Sequence, residues 1–558
     1  MVKASDIGAK GAASNVQVAQ AEAPDFEKVN WRREPHLRKL YAMGVVLMVA
    51  SATTGYDGML INTSQQIALW KKYFPEVQDN NKLGILVNMF NIGSIISFFF
   101  TPYIADRWGR KFAITCGCTI MCLGGCLSAF CNGYGMFIAG RFVLGFGNSL
   151  AQMCSPLLLT EICHPQHRGP VTAIYNCLWN VGALLVSCIG WGTSQIDNDW
   201  SWRTITFIQI VPSVIQLTFI YWIPESPRYL LSKDRTEEAL NMLATYHAGG
   251  DRNNATVQYE FQEIKETMRL DKLANRAVKY RDFFKTKGNR WRLAIIISLG
   301  IISQYSGNAI ISNYVDFIYE GAGIHNQNQK LAMSTGKTIL DVIVTISAAL
   351  SVDRFGRRPL FLVSICAGLS GTAVVKDRSE VSEVVHKNEV KDAEEKLSQK
   401  DRERGQEKKH YVPSGYAQLV FVWLFGCFYD IGWSGLLVAY ALEVLPFHLR
   451  AKGMMIMNIT VQAILALSNQ TNLVAWTHLP NHWNLMLFYT LWDTLEFAFV
   501  YFFYVETNGP TLEQIARIFD GDDAAAHIDL HQVEKEIAQA QHEDDIVDVQ
   551  TQSLKGAA

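Results

Sequence analysis

Apolar residues along this chain are concentrated in blocks that are separated by shorter polar stretches. A block of roughly 20 apolar residues is long enough to cross the hydrocarbon core of a bilayer as an α-helix. The blocks lie near residues 41–62, 84–105, 112–131, 136–160, 171–193 and 204–223, and then near 292–319, 331–351, 359–375, 416–441, 454–476 and 484–504. We therefore predict an all-α membrane protein with twelve transmembrane helices.

Two short charged segments, residues 106–111 (DRWGRK) and 353–358 (DRFGRR), are nearly identical, and each separates two apolar blocks. Further acidic landmarks recur in the same order. They are Glu161 and Glu225 in the first half and Glu443 and Glu506 in the second. An ordered repeat of this kind predicts two six-helix bundles related by pseudo-symmetry.

The spacing of the landmarks divides the chain into five parts. They are an N-terminal tail (1–40), an N-terminal bundle (41–223), a loop with short helices (224–288), a C-terminal bundle (289–506) and a C-terminal tail (507–558). The second bundle is longer than the first by about the length of its charged segment, 376–410, which cannot enter a bilayer. This segment is either an extracellular loop or a gene-model artefact that replaces the end of the ninth span.

Basic residues indicate which side of the membrane each loop faces. A basic cluster at 28–39 precedes the first block, and both repeated segments fall on the same side as that cluster. By the positive-inside rule, both termini and the loop 224–288 are predicted to be cytoplasmic. Lys71, Lys72 and Lys82 fall on the other side and are exceptions to the rule.

Composition excludes several classes of function. The chain of 558 residues is 49% hydrophobic and 18% charged, and its net charge is −2. This charge does not favour a polyanionic partner, and the sequence has no basic stripe with interleaved aromatic residues of the kind that binds nucleic acid. Its eleven cysteines lack the paired spacing of a zinc site. We find no set of residues suited to catalysis, so we expect no enzyme activity, no metal and no cofactor.

Two charged residues lie inside predicted spans, Asp57 in the first and Arg141 in the fourth. A buried carboxylate normally faces a cavity or a cationic partner. Burial raises the pKa of such an acid and a neighbouring arginine lowers it, so a change of partner can couple proton movement to a conformational change. The alternative is a permanent structural ion pair.

Amide, hydroxyl and aromatic side chains recur inside the spans of both halves. The candidates are Asn176, Trp179, Asn180, Gln304, Asn308, Asn313, Tyr314, Asp341, Asp430, Trp433, Asn469 and Asn472. Amides donate and accept hydrogen bonds at once, as sugar hydroxyls do, and aromatic rings pack on the apolar faces of pyranose units. Their recurrence predicts a central polar cavity, although any one of them can instead bind neighbouring helices together.

The repeated charged segments also predict a gate at the cytoplasmic face. Gly109 and Gly356 permit tight turns between spans, and charges near them can pair in one conformation and separate in the other. The candidate gating residues are Asp106, Arg110, Glu161, Arg168, Glu225, Arg228, Asp353, Arg357, Glu443, Arg450 and Glu506. The alternative is simple anchoring of the topology by positive charge.

Taken in order, these motifs resemble those of the major facilitator superfamily sugar porters. The matching segments are 106–111, Gly140-Arg141, Pro156 with Glu161, Arg168-Gly169, 224–228, 353–358, Glu443 with Arg450, and 506–513. Segments 51–59, 175–182 and 306–314 further resemble fungal cellodextrin transporters and lactose permeases. The resemblance implies a plasma-membrane protein that holds sugar between two bundles and alternates access to it.

The resemblance also assigns positions in the cavity. The family's glutamine in span five corresponds to Asn176, and its two glutamines in span seven correspond to Ser303 and Gln304. Its span-eight asparagine corresponds to Asp341, which is either a second proton site or a partner of Lys337 one turn earlier.

The resulting prediction is a transporter of cellobiose, cellodextrins or lactose, which works by proton symport or facilitated diffusion. One alternative is a transporter-like sugar sensor with little flux, and another is a porter of hexoses or pentoses. The expected partners are the sugar, protons and the lipid bilayer, and a monomer is expected.

Overall fold

The protein is described by a computed structural model that covers residue 29 and residues 31–265, 280–321, 324–366, 412–479, 483–507 and 518–520. Regular secondary structure in these ranges is entirely helical. The described residues contain helices in all twelve predicted blocks, and the predicted all-α class and two-bundle fold are confirmed. The charged segment 376–410 and most of both tails lie outside the described residues, and the two explanations of that segment stay open.

The helices of the N-terminal half are α1 (Pro35–Gln65), α2 (Asn80–Trp108), α3 (Arg110–Ala129), α4 (Tyr134–Ile162), α5 (Arg168–Thr193) and α6, which consists of Trp200–Ile208 and Ile210–Phe219. Short helices Ala68–Tyr73, Pro227–Ser232 and Thr236–His247 lie outside the spans. A buried apolar cluster joins α1, α3, α4 and α5 to the loop helices, so this loop packs on the N-terminal half.

The C-terminal half contains several interrupted helices. They are α7 (Lys287–Tyr305, Asn308–Asn313 and Val315–Gly321), α8 (Gln327–Phe355), α9 (helical at 357–366), α10 (Val412–Tyr429, a π-helical turn Asp430–Ser434, and Gly435–Val444), α11 (Phe447–His478) and α12 (Trp483–Phe503). Among the described residues, eight helices are long and apolar enough to span a membrane by themselves. Breaks of the kind seen in α7 are tolerated at membrane depth where the backbone lines a cavity.

Glycines allow α1 and α5 to approach each other closely. A Cβ at Gly55 would lie 1.8 Å from the carbonyl oxygen of Trp179, and a Cβ at Gly182 would lie 1.9 Å from that of Ala52. Small residues at helix contacts are the usual means of close packing in membranes, because dispersion contacts replace the hydrophobic effect there. The α1–α5 contact therefore depends on these two glycines.

Replacing Gly182 with alanine is expected to destabilise the protein by about 1–3 kcal/mol, because the new methyl group forces two backbones apart. Thermal unfolding in detergent would show this as a lower midpoint temperature. Gly192→Ala is the matched control, since it lies on the same helix and its Cβ would meet nothing within 4 Å. Equal midpoints for the two variants would contradict this account of the helix contact.

The two halves contact each other through α2 with α11 and α5 with α8. We call the end of the protein where α1 begins and α12 ends the terminal face, and the other end the opposite face. Most of the described hydrogen bonds between the halves lie near the opposite face, at 2.5 to 3.5 Å. They include Gln65 with Asn313, Asn80 with Thr477 and Gln195 with Asn328. The deepest of the described inter-half bonds joins Asn180 Nδ2 to Thr345 Oγ1, at 2.6 Å, so the contact extends to the middle of the helices.

Candidate functional site

A polar cavity of about 400 Å³ lies between the two halves. Predicted residues from both halves line it. They are Asn176, Trp179, Asn180, Gln304, Asn308, Asn313, Asp341, Asp430 and Trp433. A second space, of about 210 Å³, adjoins it and is lined by Asn469 together with Trp179 and Asn313, which the two share. The structure thus brings ten of the predicted residues to one connected region.

Two predicted residues do not line either space. Tyr314 is 2% exposed and its hydroxyl donates to the carbonyl oxygen of Asn469, at 3.4 Å. Asn472 is buried, donates to Ser468 and accepts from the hydroxyl of Tyr489. Both side chains join neighbouring helices instead of lining the cavity, which was the alternative role stated for each of these polar residues.

The break in α7 explains how several amides reach the cavity. Gly307 has φ +81°, a conformation that favours glycine, and it separates two helical segments. Asn308 follows at the start of the second segment and accepts from the hydroxyl of Ser312, at 3.3 Å. In the first segment, before the break, the carbonyl of Ser303 accepts from the hydroxyl of Tyr429 of α10, at 2.5 Å. The unwound turn therefore presents backbone and amide groups together.

Asp341 is paired within its own helix. Lys337 Nζ lies 2.6 Å from Asp341 Oδ2, which is the pairing considered for this residue from its i, i+4 spacing. Both residues line the cavity, as do Gln152, Tyr429 and Gln462, which sequence reasoning had not singled out. The i, i+4 spacing of Lys337 and Asp341 was a sequence signal by which Lys337 could have been predicted. Gln152 and Gln462 are single polar residues in apolar stretches, so no sequence pattern pointed to them.

Asp57 and Arg141 are close but do not form the expected side-chain pair. The Arg141 guanidinium donates to the backbone carbonyl of Asp57, at 3.5 Å, and lies 4.9 Å from the ring centre of Phe90. Neither carboxylate oxygen of Asp57, which is fully buried, has a hydrogen-bond partner among the described residues. The acid is therefore near a cation without being bound to it, and Arg141 also lines the smaller space.

The glycine turns of the repeated segments are held by two equivalent glutamates. Gly109 has φ +101° and Gly356 has φ +82°. Glu225 accepts from the backbone N–H of Lys111, at 3.3 Å, and Glu506 accepts from that of Arg357, at 3.0 Å. A carboxylate at a helix N-terminus satisfies free N–H groups and opposes the helix dipole. The repeated segments 106–111 and 353–358 are therefore two equivalent turns, and in each a glutamate caps the N-terminus of the helix that follows.

The predicted gating charges form ion pairs inside each half. In the N-terminal half Arg110 lies 3.4 Å from Asp106 and 3.3 Å from Glu161, and in the C-terminal half Arg357 lies 3.3 Å from Glu443. These pairs therefore do not join the two halves in this conformation. Arg228 is half-buried in its short helix, and the side chains of Asp353 and Arg450 lie outside the described residues.

Arg168 pairs with the loop rather than with another span. It lies 2.8 Å from Glu260, whose other oxygen lies 2.7 Å from Nδ1 of the fully buried His247. His164 packs against the ring of His247, and burial lowers the pKa of His164 to about 4, with the charge of His247 adding to the effect. His164 is thus neutral at pH 7, and this cluster fixes the loop helices to the N-terminal half.

A four-charge network that sequence reasoning missed joins the halves at the opposite face. Lys71 lies 2.5 Å from Asp316 and 3.3 Å from Glu320, and Lys330 lies 2.7 Å and 2.9 Å from the same two acids. Burial alone would lower the pKa of Lys71, but the charges and hydrogen bonds of Asp316 and Glu320 outweigh it and raise the pKa. We call these four residues the opposite-face network.

Comparisons with known proteins agree with this architecture. The sequence model of a family described as "Sugar (and other) transporter" matches residues 43–519. A high-affinity glucose transporter of Kluyveromyces lactis is 25% identical over 500 residues, which cover 88% of this chain and 87% of that protein. An MFS glucose transporter of Aspergillus flavus is 26% identical over 507 residues, covering 87% of this chain and 91% of that protein.

Solved structures show the same fold. The inward-open conformation of the xylose transporter XylE from E. coli superimposes with a TM-score of 0.67 at 20% identity, covering 86% of this chain and 99% of that one. A partially occluded inward-open conformation of the same protein gives a TM-score of 0.66, with 85% and 99% covered.

Proposed function

The chain belongs to the sugar (and other) transporter family, and on this premise we propose that it carries a monosaccharide, a hexose or a pentose, across a membrane by alternating access. The observation that carries the proposal is the amide-rich cavity between two six-helix halves. Amides from both halves can bind sugar hydroxyls in one conformation and release them when the halves move apart.

The size of the cavity and the named relatives favour one sugar ring. Ligand pockets usually enclose about 300–1,000 Å³, and this cavity, at about 400 Å³, lies near the lower end of that range. The relatives are named as glucose and myo-inositol transporters. The sequence-based prediction of cellobiose or lactose therefore becomes the second candidate, and the adjoining space of about 210 Å³ is the feature that favours it, because a second ring would need it.

The conformation corresponds to an inward-facing state. The described bonds between the halves lie from the opposite face to mid-membrane, whereas the charged pairs of the terminal face stay within each half. The excess of Lys and Arg in the short loops of the terminal face supports its cytoplasmic location. We place the protein in the plasma membrane as a monomer, with both termini cytoplasmic.

Proton coupling through Asp57 and Arg141 is part of the proposal. One structural neighbour is described as a proton:xylose symporter. Asp57 is an acid without a hydrogen-bond partner among the described residues, next to a buried arginine. Protonation removes its charge and loosens its attraction to Arg141, which gives a means to link proton binding to movement of α1 against α4.

Uptake of labelled D-glucose by cells that lack their own sugar transporters tests the function. We expect saturable uptake above that of empty cells, with competition by unlabelled xylose and weak competition by cellobiose. Strong competition by cellobiose would favour the disaccharide candidate. No uptake of any sugar, despite protein at the cell surface, would overturn the proposal.

Asn176→Ala is expected to raise the KM for sugar about 2- to 13-fold with little change in kcat, because one hydrogen bond to substrate is worth about 0.5–1.5 kcal/mol. The amide of Asn176 is exposed to the cavity. Asn81→Ala is the matched control, since Asn81 is exposed at the start of α2 and lies outside the cavity lining. Uptake kinetics of the two variants give the comparison, and an unchanged KM for Asn176→Ala would remove Asn176 from the sugar site.

A further inference from the structure

Two acids of α12, Asp493 and Glu496, lie together outside the sugar cavity. They line a small space of about 10 Å³, together with Ser306, Ser364, Tyr429 and Trp433. Residues three apart on a helix lie on the same face, so both carboxyl groups point towards this space. The described lining contains no lysine, arginine or histidine.

Both acids are almost completely buried, Asp493 being 2% and Glu496 3% exposed. Oδ1 of Asp493 has no hydrogen-bond partner among the described residues, and neither carboxyl oxygen of Glu496 has one of good geometry. The side chain of Trp492 lies close enough to Glu496 to interact with it weakly, but it carries no charge. Ionised carboxylates in such a position each cost several kcal/mol, because no cationic side chain in the described lining compensates their charge. The pair therefore requires a bound positive species when the space is closed.

The position of the space links it to the sugar site. Ser306 immediately precedes Gly307 at the break of α7, and its hydroxyl is buried without a hydrogen-bond partner among the described residues. Tyr429 and Trp433 line both the small space and the sugar cavity. Movement of the α7 break or of α10 on sugar binding therefore changes the surroundings of both acids.

In the described part of the chain, the titratable groups that face the two acids are tyrosines. Tyr429 of α10 and Tyr504, just after α12, lie near Glu496, and Tyr489 of α12 lies near Asp493. The hydroxyl of Tyr429 already donates to Ser303, and that of Tyr504 lies 3.1 Å from Ser298 Oγ. Asp430, the nearest further charge along α10, lines the sugar cavity.

We propose that Asp493 and Glu496 form a second proton-binding site, in the C-terminal half, which takes up a proton with the sugar and releases it to the terminal face. This rests on the proposed transport function. Protonation adds a proton to a carboxylate and removes its charge, with no other reactant. A proton suits this site better than a metal ion, because a space of about 10 Å³ is close to the smallest that holds one water.

The test uses purified full-length protein in lipid vesicles, with labelled glucose and a pH-sensitive dye. The number of protons that enter per sugar is measured for the wild type, Glu496→Gln and Asp493→Asn. We expect the ratio to fall by about one proton in either variant, while equilibrium exchange of labelled sugar is retained. An unchanged ratio would overturn the second site, as would uptake that needs Na⁺ at constant pH.

Glu263→Gln, at an exposed position in the loop, is the control and should leave the ratio unchanged. Should the α12 variants fail to fold, the wild type still gives an answer. The hydrophobic reagent dicyclohexylcarbodiimide modifies protonated buried carboxyl groups, and peptide mapping distinguishes α12 from Asp57. Labelling of α12 that sugar alters would support the site, and its absence at every pH would refute it. Absence of sugar exchange by the wild type would instead reject the transport function itself.

Discussion

Arg141→Ala is expected to reduce proton-driven sugar uptake more than tenfold while leaving the amount of protein in the membrane unchanged. The guanidinium is the cation next to the unpartnered Asp57, and both are buried. Without it, ionised Asp57 has no compensating positive charge nearby among the described residues, so we expect the acid to stay protonated through the cycle and to stop responding to the proton gradient.

The comparison for this prediction is Arg107→Ala. Arg107 is an exposed arginine of the same half and lies over the rings of Tyr103 and Trp108. Its loss should change uptake less than twofold. Uptake of labelled glucose, corrected for surface protein, is measured for both. Near-normal uptake by Arg141→Ala would assign Arg141 a structural role only.

Asp57→Asn separates coupling from transport. We expect this variant to keep exchange of labelled sugar between the two sides and to lose accumulation against a gradient. The amide is nearly the same size as the carboxylic acid, so the packing of α1 should be preserved. Accumulation that survives this change would show that Asp57 does not carry the proton.

The sequence predicted the fold well because its signals are strong and local. Twenty-residue apolar blocks determine helices in a bilayer, since no other open structure satisfies the backbone there. The repeated segments at 106–111 and 353–358 predicted the two halves, and the structure shows that both form turns held by equivalent glutamates. Local patterns of this kind predict helices and turns without information on which helices contact each other.

The candidate cavity was predicted in part. Amides clustered within one span, such as those around Asn308, reached it, whereas Tyr314 and Asn472 face neighbouring helices instead. Sequence gives the residue type but not the rotation of each helix, and the break at Gly307 changes that rotation in the middle of α7. Periodicity alone could not predict this change.

The contacts between the two halves could not be predicted from the sequence. Lys71 is an exception to the positive-inside rule, and the structure shows that two acids of the other half bind it. The partners lie about 245 residues away in the chain.

Lys71→Met is expected to weaken the contact at the opposite face by about 1–2 kcal/mol, which changes the ratio of the two conformations about 5- to 30-fold. Lys330 stays between Asp316 and Glu320 in this variant, so the acids are left with one positive charge for two negative ones. The inward-facing conformation loses both inter-half ion pairs of Lys71, with Asp316 and with Glu320, whereas the outward-facing one loses nothing at this face.

The measurement follows access to the cavity from outside. A cysteine replaces Asn62, which lines the sugar cavity, in a protein whose exposed Cys126, Cys188 and Cys366 are serine. A membrane-impermeant thiol reagent is added to intact cells. The cysteine at position 62 should be labelled faster in the protein with Lys71→Met than in the same protein with Lys71, because the opposite face opens more often.

Lys72→Met is the matched control, because Lys72 is the next residue of the same short helix, is exposed, and takes no part in the opposite-face network. It changes the charge of the opposite face by the same amount, so equal labelling with both variants would attribute the effect to net charge. Faster labelling with Lys71→Met alone would identify the Lys71–Asp316 contact as a lock on the outer gate. Lys71 and Lys72, two of the three exceptions to the positive-inside rule, would then differ in role, since only Lys71 holds the halves together.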